Sequence, residues 1–391
     1  MTLARRLIVA FGFNMTLFYA TSLYVPSVMN QAVAETFGVS TTVLLGSFTL
    51  ALLTQAALLP AVGRRIDRLG GRAVLPAAPI FTAAGLVACA FSQGVAQWYA
   101  GWLLIGLGLS CGTLDAVYAS VGRQLGSEAR PVIVGVTMLA GFASAVAWPT
   151  GIWLLGLIGW RHTLLLYAAV QMLVILPVTL AVFPKSPPPA LPAAKPGNDE
   201  PLPQGGEPGW VWLALNFTLI AAVNSMISVH ILALLYGFGF GAAEVVTASA
   251  LYGPAQVAAR AFDLLGGKRF TPFSGAMVSA VMIPLALLLL MLGAPALVGM
   301  LVIGIGTGMF TIARGALPLH VWGPAGYPVR IGRLARWVFL ATALTPTLAA
   351  PLVTGWPGYG PASMMFALSL VAAFCLFQLW RGTRRRAKLA A

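Results

Sequence analysis

Apolar residues run along this chain in long blocks separated by short polar stretches. Twelve blocks can be marked, at 7–29, 40–62, 73–92, 96–121, 131–155, 161–183, 210–236, 243–262, 272–292, 295–318, 332–355 and 360–380. A helix of about 20 apolar residues crosses a hydrocarbon core of about 30 Å, and every block reaches that length. The pattern predicts an all-α membrane protein with twelve transmembrane helices.

The pattern lapses once for longer than a turn. From Phe183 to Gly209 apolar periodicity stops, and Lys185-Ser186-Pro187-Pro188-Pro189 and Asn198-Asp199-Glu200-Pro201 take its place. Proline lacks a backbone donor and fixes φ, so this stretch is expected to be a tether and not a helix. Docking of a partner or phosphorylation is the lesser reading. The predicted organisation is a six-helix bundle over 1–183, a Pro-rich linker over 184–209, and a second six-helix bundle over 210–391 that ends in a basic tail.

The two halves resemble each other. Asp67-Arg68-Leu69-Gly70-Gly71-Arg72 is echoed by Asp263-Leu264-Leu265-Gly266-Gly267-Lys268 at an offset of 196. Pro131-Val132-Ile133-Val134-Gly135 is echoed by Pro328-Val329-Arg330-Ile331-Gly332, and Pro149 by Pro346, both at 197. Matches at nearly one spacing predict two bundles related by an internal repeat. The paired prolines are expected to bend helices five and eleven. Glycines on helices four and ten, Gly101, Gly106, Gly108 and Gly112 against Gly304, Gly306 and Gly308, predict close packing of helices.

Composition agrees with the bilayer and narrows the function classes. The chain is 59% hydrophobic and 8% charged, where soluble proteins average about a quarter charged. Its net charge of +14 does not point to nucleic acid, because the bases sit at the ends of apolar blocks. Of 23 Lys and Arg, all but Arg161 fall on one set of alternate connections, which places that side and both termini in the cytoplasm. Cys89, Cys111 and Cys375 lie inside apolar blocks and read as small buried side chains. His162, His230 and His320 stand on separate segments, with no metal-ligand spacing and no nucleophile–base pair, so no enzyme and no metal site is expected. There is no phosphate-binding lysine motif for ATP-driven transport. The first block, preceded by Arg5 and Arg6, reads as a retained helix.

The basic stretch Gly63-Arg64-Arg65-Ile66-Asp67-Arg68-Leu69-Gly70-Gly71-Arg72 resembles the signature between the second and third helices of major facilitator superfamily transporters, G-x-x-x-D-R-x-G-[RK]-[RK]. Gly63, Asp67, Arg68, Gly70 and Arg72 match it; Gly71 and Arg65 depart. The resemblance implies a bacterial inner-membrane secondary transporter, most often a monomer, working by alternating access on a small-molecule substrate. It also implies a cytoplasmic gate of Gly63, Arg64, Asp67, Arg68, Gly70 and Arg72, echoed by Asp263 in the second half. A carboxylate such as Asp67 is favoured at a helix N-terminus, and helix eleven is expected to begin near Gly332.

Charges inside apolar blocks are costly, about 2.5–3.5 kcal/mol on insertion scales, and so mark candidate sites. Asp115 on helix four and Arg314 on helix ten fall at nearly equivalent repeat positions, and the superfamily resemblance puts them with His230 around one pathway. Each has a plainer reading: Asp115 can reach an interfacial base such as Arg123, and His230 can be a hydrogen-bonded structural residue. Gln256-Val257-Ala258-Ala259-Arg260 looks like the D-x-x-x-R of helix eight in monocarboxylate and oxalate–formate porters, where the Arg holds a substrate carboxylate. Gln256 stands at the acid position, and the internal repeat instead aligns Arg260 with the loop residue Arg64. The first helix offers Asn14, Thr16, Tyr19 and Tyr24 where those porters use a lysine. Trp102 stands where proton-coupled drug exporters have an arginine.

The reading that follows is a transporter of a small organic anion, without cofactor and with proton or ion coupling left open. Export of a toxic small molecule such as a trivalent arsenical is the alternative, and a transporter-like sensor the alternative of another class.

Overall fold

The computed structural model describes residues 3–182, 208–267 and 270–390. The linker expected over 184–209 lies outside them apart from its last two residues. Among the described residues the regular structure is helical throughout: α1 (Leu3–Ala20), α2 (Val25–Phe37), α3 (Thr41–Leu69), α4 (Gly71–Val74), α5 (Ala77–Ala90), α6 (Val95–Gly112), α7 (Leu114–Leu125), α8 (Ala129–Ala140), α9 (Ala143–Val170), α10 (Leu176–Val182), α11 (Trp210–Gly237), α12 (Ala242–Gly266), α13 (Pro272–Met291), α14 (Ala296–Trp322), α15 (Tyr327–Gly355) and α16 (Tyr359–Ala390).

Nine stretches of the described residues are long and apolar enough to cross a membrane. One of them, Val95–Val182, is three passes in succession. The chain turns at Gly126 (φ 58°) and again at Gly159 (φ 72°), conformations that glycine reaches without a Cβ clash. The one remaining pass, the eighth in order, is α12, whose Glu244, Arg260 and Asp263 make it less apolar than its neighbours. Twelve passes therefore stand as the apolar blocks predict.

Several predicted helices prove discontinuous. Pass one breaks at Thr21–Tyr24, pass four at Thr113, and pass five at Gly141–Phe142. Two boundaries also move. The basic stretch after Gly63 is not a turn: α3 continues to Leu69, and Gly70 alone (φ 78°) reverses the chain. Exposed Arg64, Arg65 and Arg68 extend the helix beyond its apolar part, which is why hydropathy ends it early. Helix eleven begins at Tyr327, not near Gly332, with Pro328 in its first turn where a missing N–H costs nothing.

The helices form two compact units, Met1–Leu191 with Pro324–Arg336, and Pro192–Gly323 with Trp337–Ala391. Within the first, α3 and α5 both pack on α6, and α1 packs on α10. The second repeats the scheme, with α12 and α13 on α14, and α11 on α16. The repeat extends to a single hydrogen bond. Asn14 Nδ2 donates to the Ile175 carbonyl at 3.4 Å and to Thr179 Oγ1 at 2.9 Å, tying pass one to pass six. Asn216 Nδ2 donates to the Ala372 carbonyl at 2.8 Å, tying pass seven to pass twelve.

Glycine sets how closely these passes approach. A Cβ on Gly106 would lie 2.8 Å from the Ala51 carbonyl, and one on Gly308 would lie 2.6 Å from that of Gln256. The close packing predicted for passes four and ten is thus made against passes two and eight, each inside its own unit. Trp102 is fully buried in the first unit, edge-on to Phe48 with ring centroids 5.6 Å apart.

Candidate functional site

In the first unit the signature helix α3 meets the start of α15 by backbone contact. A Cβ on Gly63 would collide with the Pro328 carbonyl oxygen. Reciprocally, a Cβ on Gly332 would lie 2.5 Å from the carbonyl oxygen of Leu59. Two glycines one above the other let the helices touch main chain to main chain. Around this contact Asp67 is half-buried and sits in the field of Arg123, Arg330 and Arg68. Arg123 Nε also donates to the Asp67 carbonyl at 3.1 Å. Arg72 reaches away from this cluster to the Leu180 carbonyl.

Asp115 lies in the same seam. It is 2% exposed, in the first turn of α7, and shares a crevice too narrow for water with Leu59, Gly63, Ile66, Pro328 and Gly332. The break at Thr113 gives α7 an N-terminus inside the pass, whose partial positive charge favours a carboxylate. Tyr19 serves that break: its hydroxyl accepts the Leu114 N–H at 2.9 Å. Both amide hydrogens of Asn14 are used inside the unit, and Asn14 lines a void large enough for one water. The first-half candidates thus divide between a seam (Asp115, with Tyr19 beside it) and a bundle tie (Asn14).

The second unit holds a polar chain across three helices. Arg260 on α12 is 7% exposed, and its Nη2 donates to Gln256 Oε1 at 3.0 Å and to Thr311 Oγ1 on α14 at 3.4 Å. One turn back, Thr307 Oγ1 donates to Asn224 Oδ1 on α11 at 3.0 Å and accepts from the Tyr252 hydroxyl at 3.5 Å. Groups of this kind are costly in an apolar helix unless hydrogen-bonded, and these four bonds link them across α11, α12 and α14. Tyr252, Gln256 and Arg260 recur every four residues, as do Thr307 and Thr311, so each set shares one helix face. That spacing is the sequence signal for Asn224's partners, which single-residue inspection for charge passes over.

Burial separates Arg260 from its repeat mate. Arg64, its repeat mate, is exposed near the end of α3, whereas Arg260 at a similar distance from the end of α12 folds inward. Asp263 is buried one turn further on, beside Gly275 of α13. Arg314 is half-buried, its guanidinium 5.4 Å from the Phe339 ring centroid. His230 Nε2 lies 3.0 Å from the Pro346 carbonyl, the backbone partner expected of a structural histidine.

Two repeated six-helix bundles with buried polar groups on interrupted helices define a secondary transporter fold for small solutes. The sequence matches the family model of the Major Facilitator Superfamily over residues 9–326, and the chain belongs to that family. Its solved relatives share the fold at low identity. The human organic anion transporter MFSD10 (TETRAN) is 18% identical with a TM-score of 0.73, over 97% of this chain and 100% of that one. The proton:xylose symporter XylE bound to 6-bromo-6-deoxy-D-glucose is 13% identical with a TM-score of 0.73, over 96% and 95%. A bacterial homologue of the iron transporter ferroportin, outward-facing with soaked iron, is 13% identical with a TM-score of 0.73, over 97% and 99%. No curated protein matches the sequence. The chain is a multi-pass membrane transporter, not an enzyme, and alternating access is general to its family.

Proposed function

We propose that this transporter carries a small organic anion, bound in its second half by Arg260. The observation that carries the reading is the buried guanidinium at the end of a polar chain, with Gln256 and Thr311 holding one nitrogen. A planar fork suits a carboxylate through two parallel bonds. Tyr252, Thr307 and Asn224 offer hydroxyl and amide groups to the rest of the solute. Arg314, further along the same face of α14, adds a second positive charge to the binding unit. The likeness to a human organic anion transporter carries the fold and no substrate.

With Gln256 in place of an acid, coupling to protons through that residue is excluded from the proposal. Asp115 and Asp67 are assigned to the gate seam with Gly63 and Gly332, on the side where the bases collect and which we read as cytoplasmic.

The test is counterflow in proteoliposomes with a panel of monocarboxylates, dicarboxylates, lipophilic cations and arsenite. Exchange of a carboxylate that Arg260→Ala abolishes and Arg260→Lys only partly restores supports the reading. Exchange confined to arsenite or cations, unaffected by either variant, replaces it with an exporter. Saturable binding without flux makes the protein a sensor.

A further inference from the structure

The last helix carries an exposed surface that includes none of the candidate site residues. Along α16 the exposed positions recur at helical spacing: Ala367, Leu370, Phe374 and Phe377, and then Arg381, Arg384 and Arg385. The opposite face, with Ala372, Leu376 and Leu379, is buried where α16 packs on α11 and α13. The apolar exposed stripe is the one a bilayer covers, since an exposed run of Leu and Phe is otherwise unfavourable in water. The arginines continue that same stripe with no change of face, so they project over the lipids that touch Phe374 and Phe377, not over the protein. Residues 381–388 hold five bases and no acid.

The boundary between the two regions is marked. Trp380, an interfacial residue type, lies between them, and the Arg384 guanidinium sits 4.1 Å from its ring centroid. Arg381 lies 5.7 Å from the Phe377 ring. Cation–π contact of this kind holds the bases along the helix, at headgroup depth.

We infer that the Arg381–Arg384–Arg385 face of α16 is a binding site for anionic lipid headgroups, whose phosphates it takes from the leaflet that covers Phe374 and Phe377. The partner class follows from charge and position. A phosphate diester at the end of an acyl chain meets both halves of the stripe, whereas a soluble anion or an oligonucleotide meets only the basic half. Guanidinium also pairs with phosphate through parallel bonds.

The experiment uses the full chain reconstituted in phosphatidylcholine vesicles with a minority of phosphatidylglycerol. Spin-labelled analogues of each lipid report their relative affinity for the protein boundary. Wild type should prefer phosphatidylglycerol about fivefold or more, the equivalent of one base at an anionic surface. The preference should fall with salt, collapse in the Arg381→Gln, Arg384→Gln, Arg385→Gln triple variant, and survive when the same three positions carry lysine. Single Arg385→Gln, expected to weaken it in part, serves if the triple variant does not fold. Absence of preference in wild type, or an unchanged preference in the glutamine variants, overturns the inference. So does displacement of the labelled lipid by soluble glycerol phosphate or a short oligonucleotide, which would reassign the site to a free anion.

Discussion

The Ser225 hydroxyl donates to the Thr342 carbonyl at 2.7 Å, and Thr342 is the residue whose helical donor Pro346 removes. Proline within α15 leaves the carbonyl four residues earlier without its N–H. In a bilayer that orphan has no water to turn to, and α11 supplies the missing donor. One helical turn away, His230 engages the Pro346 carbonyl itself. The proline site in α15 is thus held from α11 at two points.

Ser225→Ala should destabilise the protein by about 1–2 kcal/mol by leaving a buried acceptor unmade, while Ser225→Thr should not. Thermal unfolding in detergent reads the difference; equal melting of both variants would remove the hydroxyl from this account.

Gly63→Ala drives a methyl into the Pro328 carbonyl, a backbone atom that cannot rotate aside. Overpacking of this kind costs about 1–3 kcal/mol, so flux should fall about tenfold through loss of the closed seam. Substrate-induced stabilisation should persist. Loss of binding together with flux would place Gly63 near the solute instead.

Thr307→Val keeps the shape and deletes the hydroxyl that joins Asn224 to Tyr252. The expected result is about tenfold weaker substrate binding, from one hydrogen bond of about 1 kcal/mol and the disorder of its neighbours. Thr307→Ser should bind normally. Ligand-dependent thermal shifts on the two variants decide it, and identical affinities would take the polar chain out of the binding site.

Asn14→Leu and Asn216→Leu should behave as a pair, because each removes the tie between the first and last passes of its unit. Each should lose stability by about 1 kcal/mol without change in substrate affinity. Were Asn14→Leu alone to impair binding, Asn14 would be a solute ligand after all.

Much of this was legible from pattern. Apolar blocks of bilayer length carry twelve passes, because hydrocarbon imposes that length on every helix. The repeat is legible where motifs are short and rigid, as at Asp67–Arg72 and Pro131–Gly135. Helix ends were less so. Hydropathy stops α3 near Val62, since it counts the exposed Arg64, Arg65 and Arg68 as loop when they are the solvated end of a helix, and it starts α15 near Gly332, past a buried first turn at Tyr327–Val329. The breaks at Thr113 and Gly141 left no trace in hydropathy, because their backbone groups are satisfied by distant partners such as Tyr19. Arg260 was found by its charge, but Tyr252, Thr307 and Asn224 are neutral and become a chain only when three helices meet.

The contact between Gly63 and Gly332 is made of main chain, and main chain is the same whatever cargo the protein carries. A seal built from side chains would have to be refitted whenever the solute site changed. On the proposed assignment, with the seam as gate and the solute on α12 and α14, this one need not be, so a new substrate can be acquired without redesigning the door.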